Sequence, residues 1–183
     1  MARNTITRSM HDVGLAAWFG GTLANAVALN PAAAEAEGQH ATGAVANVGW
    51  DKWTPVNGGA IAMHVVGAAG QLLANRDRLA SQQGVGSMSV VKTGLTAAAL
   101  GATAYSRVLG KRVSEYTHVP VESGTSPSAA TPRPVADAQK QLKMMQWVIP
   151  ALTGALIVVS SYAGEQQRPS EVRRGVVGRL TSN

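Results

Sequence analysis

Uncharged runs set the pattern of this chain. Residues 13–34 contain no Asp, Glu, Lys or Arg, and the same holds for 53–75 and 144–164. A shorter run, 93–106, reaches comparable length if Lys92 and Arg107 sit at its ends. At a rise of roughly 1.5 Å per residue, a helix of such length covers about 33 Å, enough to cross a hydrocarbon core. A soluble amphipathic helix places a charged or strongly polar group on its outer face at nearly every turn. Residues 13–34 and 144–164 offer only Asn, Gln, Ser and Thr there. The pattern predicts an all-α fold: an integral membrane four-helix up-down bundle, one domain over 1–183, with helices near 12–30, 56–79, 88–110 and 137–164. The rival is a soluble, Ala-rich bundle, but one Phe and few large aliphatics would give it a thin core.

Local signals refine the boundaries. Helix one is expected to begin near Ser9, with Asp12 in its first turn, and to end at Asn30-Pro31, since proline restricts the residue before it. Arg3 and Arg8 ahead of an apolar run that closes on Pro31-Ala32-Ala33-Ala34 also resemble a secretory signal. The run is too long for such a signal, which favours a retained helix. Residues 35–52 read as a polar connection closed by Trp50 and Trp53, an interfacial pair. Thr54-Pro55 then reads as N-cap and first position of helix two. Residues 81–87 read as a turn, with Ser87 capping helix three and Lys111 and Arg112 beyond its end. The short connection makes helices two and three neighbours. Residues 118–135 form a Pro/Ser-rich loop. Asp137 caps the last helix, which Pro150 should kink with Thr153 compensating, and 166–183 is a basic tail.

Composition changes the picture in three places. Mean hydropathy is only +0.03, because Ala and Gly fill the apolar runs. No cysteine is present, which excludes disulfides and thiolate chemistry. The net charge of +6 could suggest nucleic acid, but the cations flank the apolar runs and no basic, aromatic-interleaved stretch occurs. Their distribution favours cytoplasmic N- and C-termini in a multi-pass plasma-membrane protein, although the third connection, with Lys111, Arg112 and Arg133, dissents.

Candidate chemistry is sparse. Small residues recur at four-residue spacing: Gly20 with Ala24, Gly94 with Ala98 and Ala102, Ala97 with Gly101, Ala151 with Ala155. In lipid such pairs allow close helix approach. Met10-His11-Asp12-Val13-Gly14 is echoed weakly by Met63-His64-Val65-Val66-Gly67. His11 and His64 are the histidines in or near spans, and an imidazole there could hold haem or a metal or relay protons. Measured from Asn75, His64 lies roughly 16 Å deeper than His11, which argues against a shared site. The structural use is preferred: His11 interfacial, His64 hydrogen-bonded to Asn25 or Tyr105. Asn25, Asn57, Gln71 and Gln146 are expected to make interhelical hydrogen bonds worth around 1 kcal/mol each. No nucleophile elbow, phosphate loop or paired carboxylates occur within a span, so no catalytic residue, metal ligand set or cofactor is assigned.

The segment Met10-His11-Asp12-Val13-Gly14-Leu15-Ala16-Ala17-Trp18-Phe19-Gly20-Gly21, with Gln146-Trp147 and Gly164-Glu165-Gln166-Gln167-Arg168-Pro169, resembles a group of small, uncharacterised multi-pass membrane proteins from actinobacteria. Its His-to-Gly-Gly run is also loosely similar to the first helix of DoxX-like and copper-resistance D-like families. The resemblance implies a multi-pass helical protein and draws attention to His11 and Trp18. The Met and His clusters of a copper protein are not evident. The expected role is non-enzymatic, structural or partner-binding, with the lipid bilayer and other membrane subunits or a second copy as partners. The alternative is a haem-, metal- or quinone-linked, or small-molecule transporting, bundle with His64 and His11 as the cofactor-binding residues.

Overall fold

A computed structural model describes residues 4–76, 85–116 and 119–165. Asp77 and Arg78, the 81–84 turn, His118 and the basic tail therefore lie outside the described residues. The described chain is mostly helical. Helix α1 spans Thr5–Ala24, a π-helical turn covers Asn25–Leu29, and α2 covers Asn30–Ala34, so the chain stays helical past Pro31. Proline lacks the N–H of the α-helical ladder and its ring collides with the carbonyl four residues back. The wider π turn absorbs that misfit and leaves Pro31 in the first turn of α2, where it is tolerated. Helix α1 also begins earlier than Ser9: the Arg8 N–H bonds the Asn4 carbonyl at 3.2 Å, and the Thr7 hydroxyl donates to the Asn4 side chain.

The expected polar connection over 35–52 is the largest correction. Only a turn separates α2 from the next helix. Gly38 carries the chain through φ 91°, a conformation that favours glycine. Helix α3 then runs Gln39–Ala74 without a break. Its first half packs through small residues: Ala46 is buried, and a Cβ on Gly49 would fall 2.7 Å from Leu29 Cδ1. Pro55 therefore sits inside α3 instead of opening it, and the Thr54 hydroxyl donates back to the Trp50 carbonyl at 2.8 Å.

Helix α4 spans Val85–Ser114, with Ser87 inside it and Lys111 and Arg112 complementing the dipole of its last turn. The 118–135 loop contains a short antiparallel hairpin, β1 Val121–Ser123 and β2 Ser126–Pro127. Helix α5, Arg133–Glu165, starts before Asp137, with the Val135 and Ala136 N–H groups on the Pro132 carbonyl. It continues through Pro150, where the Thr153 hydroxyl donates to Ile149 O at 2.9 Å.

Helices α1 and α3 pack together, α4 packs on α5, and α1 packs on α5. Every pairing is antiparallel, as the register shows: Gly21 meets the Trp53 ring, Phe19 meets Gly154, Asn30 Nδ2 donates to Gln146 Oε1 at 2.8 Å, and the Tyr105 hydroxyl bonds Gln141. Trp18, Ala60, Ala99 and Ile149 centre the core. Helices α3 and α4 are neighbours that approach each other less closely than the other pairs. Bridges such as Arg107 to Asp51 at 3.3 Å span an open groove between them. The four-residue small stripes do not form the seams: Gly20, Ala24, Ala97, Ala98, Gly101, Ala151 and Ala155 are exposed.

Among the described residues, three stretches are long and apolar enough to cross a membrane: Thr5–Ala34, His40–Ala74 and Arg133–Glu165. Helix α4 is not among them.

Candidate binding site at the paired histidines

The two Met-His-x-x-Gly segments cross each other. A Cβ on Gly14 would fall 2.5 Å from the His64 backbone nitrogen, and one on Gly67 would fall 2.7 Å from His11 Cα. Each glycine thus makes room for the other segment's histidine, a reciprocal contact. The result corrects the expected separation in depth. The His11 and His64 ring centroids lie 4.5 Å apart, tilted by 43°. The error came from the reference edge. Gly70 lies over Thr7, so the end of α3 projects beyond the start of α1, and both histidines sit between about one and two turns inside that contact.

Both rings are fully buried, at 1% and 0% exposure. His64 Nδ1 donates to the His11 carbonyl at 3.3 Å, which leaves Nε2 to accept from the Thr96 hydroxyl at 3.4 Å. The partners expected for it lie elsewhere. Asn25 is buried in the π turn, and Tyr105 pairs with Gln141. His11 Nδ1 donates to Asp12 Oδ1 at 2.7 Å, an arrangement that fixes the ring's orientation. That other nitrogen, Nε2, is buried without a hydrogen-bond partner. The Trp18 ring lies 6.0 Å from His64, and its Nε1 donates to the Thr103 hydroxyl across the groove at 3.2 Å.

Cavities surround this pair. One of about 390 Å³ occupies the groove between α3 and α4, walled by Val65, Leu72, Met88 and Leu100 and bounded by His11. A second, of about 240 Å³, is more polar; Arg8, Asp12, Lys92 and Ser160 line it beside Leu15 and Ile157, and it shares His11, Gln71 and Lys92 with the first. A third, of about 320 Å³, continues the groove past Leu100 toward Asp51 and Arg107. The other polar groups expected in interhelical bonds divide. Gln146 bonds Asn30, whereas Gln71 Nε2 and Asn57 Oδ1 are buried without partners, as are Ser160 Oγ, Ser106 Oγ and Trp53 Nε1.

This arrangement supplies hydrogen-bonding groups next to an apolar volume. Among the described residues, no three of His, Cys, Asp and Glu converge as a metal site. The ring contact leaves no slot for a macrocycle between the imidazoles, so a haem with both as axial ligands does not fit. Sequence reading named His11 and His64 but missed Lys92, Thr96, Arg8 and Ser160. Lys92 looked like a flank of the third run, and a Thr or Ser within a span carries no signal of its own. No protein-family model, curated protein or solved structure matches this chain.

Proposed function

We propose that this chain is a multi-pass membrane protein, an antiparallel four-helix bundle that holds a membrane-soluble molecule in the groove between α3 and α4 without turning it over. Apolar side chains on its outside, including Val27, Val66, Leu73, Val90 and Val158, suit lipid better than water. The distribution of cations supports cytoplasmic termini in the plasma membrane. Helix α4 carries Lys92 toward the groove, where the other helices shelter it from lipid. One observation carries the binding role: a fully buried His11 with an uncommitted Nε2 borders a largely apolar cavity. Binding sites of this kind combine an apolar wall with a few convergent polar groups.

The test is ligand-linked stability. Protein extracted gently with its native lipids should melt higher than the same protein stripped by harsher detergent. Ala97→Trp, which fills the groove, should erase the difference. Equal melting in both preparations, with no apolar molecule recovered by organic extraction, would refute the binding role.

A second reading, docking of another membrane subunit or a second copy, draws on α4. A Cβ on Gly94 or Gly101 meets nothing within 4 Å, and Val90 and Val108 are exposed on the same helix. Small residues with open space above them admit a partner helix closely. A Gly101→Leu variant that loses an oligomer or subunit seen in mild detergent would favour this reading.

A further inference from the structure

We infer that the hairpin end of the groove is a second binding site, separate from the histidine cavity, for an uncharged amphiphile with a polyol head. The head lies at Asp51 and Arg107, and the chain runs inward to Leu100.

The site is a cavity of about 320 Å³, within the size range of small-molecule sites. Its walls carry little side chain at three places: Gly58 on α3, and Ala104 and Gly110 on α4. A Cβ on either glycine meets nothing within 4 Å. Ile61, Leu100, Leu142 and Ile149 make the wall largely apolar. Gly124 and Thr125 of the hairpin turn border the far end. Gly124 is seated there so closely that a Cβ would fall 2.6 Å from Asn30 Oδ1. Leu100 alone borders both this cavity and the one at His11, which makes it the divide between two chambers.

Charge selects the head. Asp51 and Arg107 are the charged residues among those lining the cavity, and they bridge each other at 3.3 Å, leaving no net charge. Lys52, Lys111, Arg112, Glu115, Glu122 and Lys143 belong to the same end of the bundle, but they are exposed and do not line the cavity. A singly charged head would therefore enter a largely apolar space with no surplus countercharge, which is costly. A zwitterionic head would have to prise the bridge apart. A hydroxyl suits the pair as it stands, donating to the carboxylate and accepting from the guanidinium. The two side chains are 60% and 39% exposed, so a head can reach both. Trp50 and Trp53 border the same cavity, and tryptophans concentrate at headgroup depth.

The experiment places the full chain in phosphatidylcholine bilayers that contain equal amounts of four single-chain probes. Mono-oleoylglycerol, oleate, oleylamine and oleoyl-lysophosphatidylcholine share one chain and differ in the charge of the head. Gentle release and native mass spectrometry then read what stays bound. We expect mono-oleoylglycerol to be enriched about tenfold over each of the others. Asp51→Asn leaves the guanidinium unpaired and should turn the preference to oleate; Arg107→Gln should turn it to oleylamine. A merely structural bridge would instead lower retention of all four alike, and that result overturns the head site. Ala104→Trp, which fills this chamber, should abolish retention, while Ala97→Trp at the other chamber should leave it. Equal retention of the four probes by the wild type, or preference for a charged one, overturns the uncharged head without recourse to any variant. Retention lost in Ala97→Trp but kept in Ala104→Trp overturns this site and leaves the histidine cavity as the place of binding. Absence of all four probes overturns it too, whereas the binding role proposed for the histidine cavity stands or falls separately on the melting comparison.

Discussion

Gly67→Ala tests the helix crossing that brings the two histidines together. A methyl at Gly67 would lie 2.6 Å from the Thr7 carbonyl oxygen and 2.7 Å from His11 Cα. Both obstacles are backbone, so no rotamer change relieves them. Restoring ordinary contact requires α1 and α3 to separate by roughly 1 Å. A gap of that size forfeits a quarter to a half of the dispersion attraction along the seam. Overpacking in cores costs about 1–3 kcal/mol, and rigid backbone on both sides places this site near the top of that range. Alanine offsets about 1 kcal/mol of it through its better helix propensity. The net expectation is a loss of about 2 kcal/mol. The assay is a thermal melt in mild detergent, with Gly94→Ala as the control. Gly94 has nothing near its missing Cβ, so that change should be neutral or slightly stabilising. Gly14→Ala should resemble Gly67→Ala, and the double variant should fall short of additive because both act on one crossing. If Gly67→Ala melts with or above the wild type while Gly94→Ala behaves the same, the close approach of α1 and α3 is wrong.

Two further outcomes follow from the hydrogen-bond network. Asn30 Oδ1 accepts from Trp50 Nε1 at 3.1 Å while its amide donates to Gln146. Asn30→Ala should therefore destabilise by about 1–2 kcal/mol in the same melt, and adding Gln146→Ala should cost little more. Arg107 and Asp51 bridge the groove mouth with side chains 39% and 60% exposed; a double-mutant cycle should return a coupling of about 0.5 kcal/mol or less. A coupling well above that would mean the mouth is closed to water.

Helix number and most of the apolar spans were legible because uncharged runs of membrane length are hard to miss. Boundaries were less legible where proline intervened. Pro31 and Pro55 both read as helix limits, yet the π turn at Asn25–Leu29 admits the first and the Thr54 hydroxyl accompanies the second. The start of α3 was hidden because Gly43, Asn47 and Gly49 are poor helix formers in isolation. Packing against Val121 and Leu29 decides their conformation. The candidate site was half visible. Its two histidines stand out, but depth counted from Asn75 sets them apart, and the Met-His-x-x-Gly echo by itself signals only a weak repeat. Their meeting depends on a register between distant helices, which no local pattern encodes. The small-residue stripes misled for a related reason: four-residue spacing shows that a face is smooth, not which way it turns.

The contact order of the helices has a mechanical consequence. α1 with α3 forms one hairpin, α4 with α5 another, and the two are joined along the seam of α1 with α5 and, at one end, by β1, which packs on α2 and α3. They are arranged like the covers of a book, with the seam as its spine and the groove as its open side. Phe19 on Gly154 and Asn30 on Gln146 lie on the spine, while His64 to Thr96, Trp18 to Thr103 and Asp51 to Arg107 are clasps between the covers. A small rotation about the spine lengthens the clasps and leaves each hairpin intact. The clasps are few, at 3.2–3.4 Å, and β1 holds the covers together near Gly43 and Ala46, so the groove opens most readily at the histidine end. Such rigid-body movements run on microsecond to millisecond timescales. Width at the groove is thus set by an angle at a distant seam, and a substitution at Gly154 would be felt by whatever sits between α3 and α4 without touching it.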